Sequence, residues 1–261
     1  MPSHPDRTSH DAFDPLAQRV VRLEGTSNFR DLGGYPGHGG RRLRWGRLYR
    51  SAHLGGLTAS DQQHLAQLGI ARALDFRGVA ERAAAPNRLR GVAEHSLAIE
   101  PTVVQRMDAL VAAGRTLTAP VVSELMRDLY RGLVNQQAAR FAELFEHLLR
   151  ADTPLVFHCT AGKDRTGLAA ALVLFALGVP TDVVRSDYLL TNDLFEHPPL
   201  PHNDPPPEAL AVLWRVQDGF LDAALQAIDT EHGGVDQYLR RRLGLSEAAL
   251  GALAARYLEP V

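Results

Sequence analysis

The apolar positions of this chain change period several times, and each change marks an element. Thr58 followed by Asp61 is a capping pattern, and Leu65 and Leu68 before Gly69 complete a short helix. The next stretch, IARALDF from Ile70 to Phe76, alternates imperfectly and predicts a buried strand, so the helix-and-strand layering of an α/β protein is expected. From Val121 to Arg150, Leu125, Leu129, Leu133, Phe141, Leu144, Phe145 and Leu148 recur at helical spacing and predict one or two long helices with a core-facing stripe. Pro154 to Phe157 is a short apolar run suited to a central strand. After it, LAAALVLFAL is apolar on nearly all sides. It predicts a helix packed inside the fold from Thr166 to Leu177, stopped by Gly178 and Pro180.

Other stretches are less regular. Residues 20–50 read as irregular structure and short strands, with turn signals at Gly33-Gly34 and from Pro36 to Gly40. Residues 100–120 lack a clear period, and the proline-rich loop 198–207 cannot be helix interior, so both are expected to form lids. Helical patterns at 208–229, 235–243 and 246–257 then predict a helical C-terminal part, 208–261. Residues 1–19 read as a flexible leader and 20–261 as a single domain, long enough to bury a full core.

Composition narrows the function classes. With 45% hydrophobic and 22% charged residues the chain resembles an ordinary soluble enzyme, and no apolar run approaches the roughly 20 residues that cross a bilayer. No integral membrane contact is therefore expected. A net charge of -2 gives no global attraction to nucleic acid, and the arginine clusters at 41–50 and 240–242 read as solvated faces. The N-terminal stretch has neither a basic start leading into an apolar run nor a cleavage site, so a cytoplasmic location is expected, with leaderless secretion left open. One cysteine excludes an intramolecular disulfide. The 11 histidines are scattered, with no CxxC pair or HExxH signature, so neither a metal nor another cofactor is expected.

The candidate chemistry lies in HCTAGKDRTG, His158 to Gly167, which holds the only cysteine and the only lysine of the chain, among 28 Lys and Arg residues in all. Strand, glycine-containing loop and helix present backbone N–H groups and a helix N-terminus to an anion. A thiol at Cys159, set among those dipoles and near a guanidinium, is expected to be available as thiolate at neutral pH. Arg165, with five residues between it and Cys159, offers a planar fork for two phosphoryl oxygens. Thr160, Ala161, Gly162, Lys163, Asp164 and Arg165 together would hold a phosphate monoester in line with the sulfur, for covalent catalysis through a cysteinyl-phosphate without a metal. The proton donor to the leaving oxygen is left among three carboxyls: Asp164 first, because it belongs to the loop, then Asp75 at a strand end, then Asp128. His158 is expected to orient the loop through hydrogen bonds, and Thr166 to offer its hydroxyl to the sulfur. The bland reading of a lone cysteine is a small buried hydrophobe, and the full ten-residue pattern between strand and helix weighs against it.

HCTAGKDRTG resembles the signature loop of the cysteine-dependent protein tyrosine phosphatase superfamily. Its KDRTG form is similar to the atypical bacterial tyrosine/serine phosphatases of the mycobacterial tyrosine phosphatase B type. NFRDLGGY (28–35), LYRSAHL (48–54), LDFRGVAER (74–82) and DYLLTN (187–192) match that family too. The resemblance implies an α/β fold with a central, mostly parallel sheet flanked by helices. It also implies Cys159 as nucleophile, Arg165 as phosphate clamp, and a phosphorylated protein or phosphoinositide as partner in catalysis. The family's DLR reads Asp75-Phe76-Arg77 here, and no WPD tripeptide supplies a separate acid. Lysine in this loop is also a feature of phosphoinositide phosphatases. A compact ammonium at Lys163 could receive a second phosphate, or simply pair with a neighbouring acid. Arg30 and Asp31 are expected to form a buried ion pair supporting the loop, with Asp187 and Tyr188 as packing residues behind it. The competing functions are a rhodanese-like sulfurtransferase, against which the intact Arg165 speaks, and a non-catalytic phosphate-binding module.

Overall fold

The computed structural model describes residues 18–100, 102–197 and 206–260. Most of the expected leader 1–19 and of the proline-rich loop 198–207 lie outside these residues. Strand β1 (Arg30–Asp31) pairs antiparallel with β2 (Leu48–Ser51). Helix α1 (Ala59–Gln67) starts at Thr58, whose side chain and that of Asp61 satisfy each other's backbone N–H in a full capping box. It leads to β3 (Arg72–Asp75), α2 (Val79–Ala84) and β4 (Ala93–Ser96). The expected strand at 70–76 is thus shorter by a few residues.

Residues 100–120, expected to be an aperiodic lid, contain helix α3 (Thr102–Ala112). Its buried Val103 and Met107 do stand four apart, but Val111 on the same helix is 56% exposed and blurs the apolar stripe. The long helical pattern resolves into two helices, α4 (Ala119–Gln136) and α5 (Ala138–Arg150), separated at Gln137 without a proline or glycine to announce the break. Strand β5 (Leu155–His158) and helix α6 (Asp164–Ala176) follow, and every residue of α6 from Arg165 to Leu174 is buried, as its uniform apolarity requires.

The chain continues through α7 (Thr181–Leu189), α8 (Thr191–Leu194), α9 (Pro207–Trp214) and α10 (Asp218–His232). A helical stretch at Val235–Gln237 widens into a π-type turn at Tyr238–Arg242, and α11 (Glu247–Tyr257) starts from the Ser246 cap. The pattern expected over 208–229 is split between α9 and α10. Asn192 pins the break by pairing its amide with both backbone groups of Val216.

The sheet order is β1-β2-β5-β3-β4, parallel except at β1. Because successive strand residues face opposite sides, each inner strand feeds two cores. Leu48, Leu74, Leu155 and Phe157 join the large core under α4, α5, α6 and α10. Tyr49, Ala73 and Val156 join Phe29, Leu54, Leu57, Leu65 and Ile70 on the α1 side. Each fully buried large apolar side chain contributes about 1.5–3 kcal/mol relative to exposure. This burial fixes β5 between β2 and β3, so the turn into α6 emerges at the carboxyl ends of three parallel strands, where open α/β sheets place their ligand sites.

Candidate active site

The β5–α6 turn carries Cys159 through Arg165. Its carbonyls are all engaged away from the loop's concave side. Thr160 O accepts from His53 N at 3.0 Å, Ala161 O and Gly162 O from Asn28 Nδ2 at 3.0 Å each, Gly162 O also from Arg50 Nη2 at 2.8 Å, and Lys163 O from Gly167 N at 2.8 Å. The backbone N–H groups from Thr160 to Arg165 donate to no described protein group. Gly162 makes the turn possible: its φ is +65°, and a Cβ there would lie 2.3 Å from Ser51 O. With the N-terminus of the 13-residue helix α6 beside them and Cys159 buried below, these free donors make the turn suited to seat a tetrahedral anion.

Arg165 closes the seat and is itself held from outside. Glu81, from the first turn of α2, takes Nη1 at 2.6 Å and Nη2 at 2.8 Å, while Phe76 O and Ile99 O accept from Nη1 at 3.4 and 2.9 Å. Nε donates to no described group. Burial disfavours the charge on Arg165, but Glu81 and the neighbouring thiol and carboxyl outweigh it and raise the pKa above the usual arginine value. In the same way burial pushes Glu81 upward, and the Arg165 contact more than reverses this, leaving its carboxyl below the usual range. Glu81 also accepts from Thr160 Oγ1 and from Gly78 N, so it ties α2 to both ends of the loop.

The three candidate acids have different surroundings. Asp164 Oδ1 accepts from Lys163 Nζ at 2.7 Å and from Tyr130 Oη at 3.0 Å, and Tyr130 Oη is 2.6 Å from Tyr188 Oη. Its Oδ2 has no described partner. Asp75 is saturated, accepting from the Arg77 backbone N, Nε and Nη2 and from Asn87 Nδ2. Burial pushes Asp75 up, but Arg77 outweighs it and holds the carboxyl below its ordinary value. Asp128 sits on α4 paired with Arg106 and Arg131, in the wall of a cleft of about 450 Å³, and it bonds to no loop residue. Lys163 is only 4% exposed and is committed to Asp164, which favours the pairing alternative for this residue.

Two expected contacts are not made, and a third is limited to one hydrogen bond. Arg30 and Asp31 are successive strand residues on opposite faces and form no ion pair. Arg30 instead bonds Asp187, and Asp31 accepts from Gly33 N at 2.7 Å and Gly46 N at 2.6 Å. Thr166 Oγ1 is buried and does not reach the sulfur. His158 contributes one contact to the loop, Nδ1 to Cys159 O at 3.3 Å. Burial lowers its pKa to about 4, so the ring 3.8 Å from Asp75 is neutral at pH 7.

Sequence reasoning missed Glu81, Asn28, Arg50 and Tyr130. A signal for Glu81 existed: Gly78 and Glu81 stand three apart as helix cap and capping partner, directly after the strand that carries Asp75. Tyr130 gave none, lying in an apolar helical stripe. Among the described residues no cluster of three or more His, Cys, Asp or Glu could hold a metal, and no helix is long and apolar enough to cross a membrane.

Residues 21–259 match the model of the tyrosine phosphatase family. A Cupriavidus necator protein whose name assigns it provisionally to the tyrosine-protein phosphatases is 38% identical over 86% of this chain and 84% of its own length. The triple specificity protein phosphatase PtpB of Mycobacterium tuberculosis is 31% identical over 90% of this chain and 97% of its own. The solved structure of Pseudomonas aeruginosa TpbA overlaps with 57% of this chain and 71% of its own at 19% identity and a TM-score of 0.30.

Proposed function

The chain belongs to the tyrosine phosphatase family, and from that premise we propose that it hydrolyses phosphotyrosine in proteins through a cysteinyl-phosphate intermediate. Cys159 Sγ attacks phosphorus and the phosphorus–oxygen bond to the tyrosine breaks. Asp164 Oδ2 gives its proton to the departing phenolate oxygen. Water, deprotonated by the same carboxylate, then attacks phosphorus, the sulfur–phosphorus bond breaks, and inorganic phosphate leaves. The free amides of 160–165 and the Nε edge of Arg165 take the charge on the transferring group. These donors supply the electrostatic work a metal would otherwise do, so activity is expected in the presence of a chelator.

One observation carries this reading: every loop carbonyl from Thr160 to Lys163 is bonded away from the seat, and the amides above Cys159 remain free. Asp164 is preferred as acid because Asp75 has no free lone pair to offer a proton site and Asp128 bonds to no loop residue. The words "triple specificity" in the name of the M. tuberculosis relative support a substrate range beyond phosphotyrosine, and the proposal extends it to phosphoserine and phosphothreonine. Phosphoinositide turnover has weaker support, since the buried Lys163 is engaged with Asp164 and does not stand ready for a second phosphate. The test is release of phosphate from a phosphotyrosine peptide in EDTA by the wild type and by Cys159→Ser. Turnover by the wild type alone is expected. Equal turnover by both would sink the mechanism.

A further inference from the structure

Three motifs outside the signature loop, NFRD, LYRS and DYLLT, meet in one buried network beneath it. Arg30 Nε and Arg50 Nη1 bond the two oxygens of Asp187 at 3.0 and 2.7 Å, and both arginines reach Thr191 Oγ1 at 3.3 and 3.5 Å. The arginines are 0% and Asp187 1% exposed. Tyr35 Oη donates to the same Asp187 oxygen as Arg30. Two guanidiniums thus share one carboxylate, and among the described residues Asp187 is the only carboxylate bonded to either.

Asn28 is the one described non-glycine residue with a positive φ, 58°, a conformation asparagine tolerates better than most residues. Its side-chain oxygen accepts from Arg30 Nη1, which fixes the amide so that Nδ2 faces Ala161 O and Gly162 O. Arg50 Nη2 takes Gly162 O from the same side. A peptide plane is rigid, so pulling a carbonyl to one side turns the N–H of the following residue to the other. We propose that Asn28 and Arg50 are positioning residues that turn the loop amides toward the bound anion, with the Arg30–Asp187 pair holding both in place and adding an excess positive charge beneath the seat. This rests on the phosphatase reading only for its catalytic consequence; anion binding follows without it.

The measurement is binding of inorganic phosphate by calorimetry, beside thermal unfolding and peptide turnover, for the wild type, Asn28→Gly and Asn28→Asp. Glycine keeps the left-handed backbone and removes only the amide. Aspartate keeps the shape but sets an acceptor against two carbonyl oxygens. Expected are phosphate affinities weaker by about tenfold for glycine and by more for aspartate, equivalent to about 1.4 kcal/mol or more, in folded proteins. Turnover should fall with affinity. A scaffolding residue would lower the melting temperature and leave the affinity of the folded protein unchanged, and that result overturns the assignment. So does failure of both variants to fold, which would make Asn28 a residue of the fold rather than of the loop. A wild type that binds phosphate but hydrolyses no ester removes the enzymatic reading and leaves the bracket standing, whereas a wild type that binds none overturns both.

Discussion

Glu81→Gln separates two roles that the Glu81–Arg165 contact could play. The carboxylate either aims the guanidinium at the substrate or occupies donors that phosphate needs. The contact uses both terminal nitrogens of Arg165, at 2.6 and 2.8 Å, and Nη2 also reaches Thr160 Oγ1 at 3.5 Å, whereas Nε has no described partner, so the Nε side of the guanidinium is the edge left to phosphate. Both side chains are mostly buried, at 11% and 19% exposure. Glutamine keeps one acceptor and removes the charge, which forfeits about 1.5–3 kcal/mol of charge-assisted bonding. If about 2 kcal/mol of that is lost in holding Arg165 for the transition state, kcat falls by about 30-fold. Removing a negative charge beside the anion should meanwhile leave KM unchanged or lower it. Steady-state kinetics on a phosphotyrosine peptide, with phosphate as competitor, read both effects. A wild-type kcat combined with tighter phosphate binding would refute the orienting role and make Glu81 a plug in the site.

Asp164→Asn should reduce hydrolysis of an alkyl phosphate far more than that of an aryl phosphate with a good leaving group, because only the former requires a proton in the transition state. A uniform loss on both would make Asp164 a loop-orienting residue. Lys163→Met should lower turnover of a phosphotyrosine peptide and of a multiply phosphorylated inositol lipid by similar factors, since its ammonium serves Asp164. A selective loss on the lipid would restore the second-phosphate role. His158, with its pKa lowered by burial from 6.5 to about 4, favours the folded state above its unfolded pKa, and this contribution is lost as pH falls toward 4. The stability advantage of the wild type over His158→Gln, from urea unfolding, should therefore shrink by about 2 kcal/mol between about pH 8 and pH 5. A pH-independent difference would contradict a neutral buried ring.

The parts of this molecule legible in the sequence are those set by local pattern. The capping pair Thr58–Asp61, the wholly apolar helix after the loop, the Pro154–Phe157 strand and the cysteine-to-arginine loop all follow from spacing alone. What could not be read depends on which surfaces meet. Arg30 and Asp31 look like a pair in sequence, but strand alternation sends one to Asp187, 157 residues away, and the other to a turn. Asp75 looked free at a strand end until Arg77, two residues on, folded back over it. Tyr130 sits in a helical stripe that sequence assigns to the core, and only the packing of α4 against α6 brings its hydroxyl to Asp164.

A covalent intermediate on Cys159 is tested directly by rapid acid quenching of the enzyme during turnover of a phosphotyrosine peptide, followed by mass spectrometry of its proteolytic fragments. One added phosphoryl group is expected on the fragment carrying Cys159, accumulating further in Asp164→Asn because its carboxylate activates the hydrolytic water, and absent from Cys159→Ser. Phosphate release at the normal rate with no phosphorylated cysteine at any quench time, or with the phosphoryl group on another residue, would contradict it.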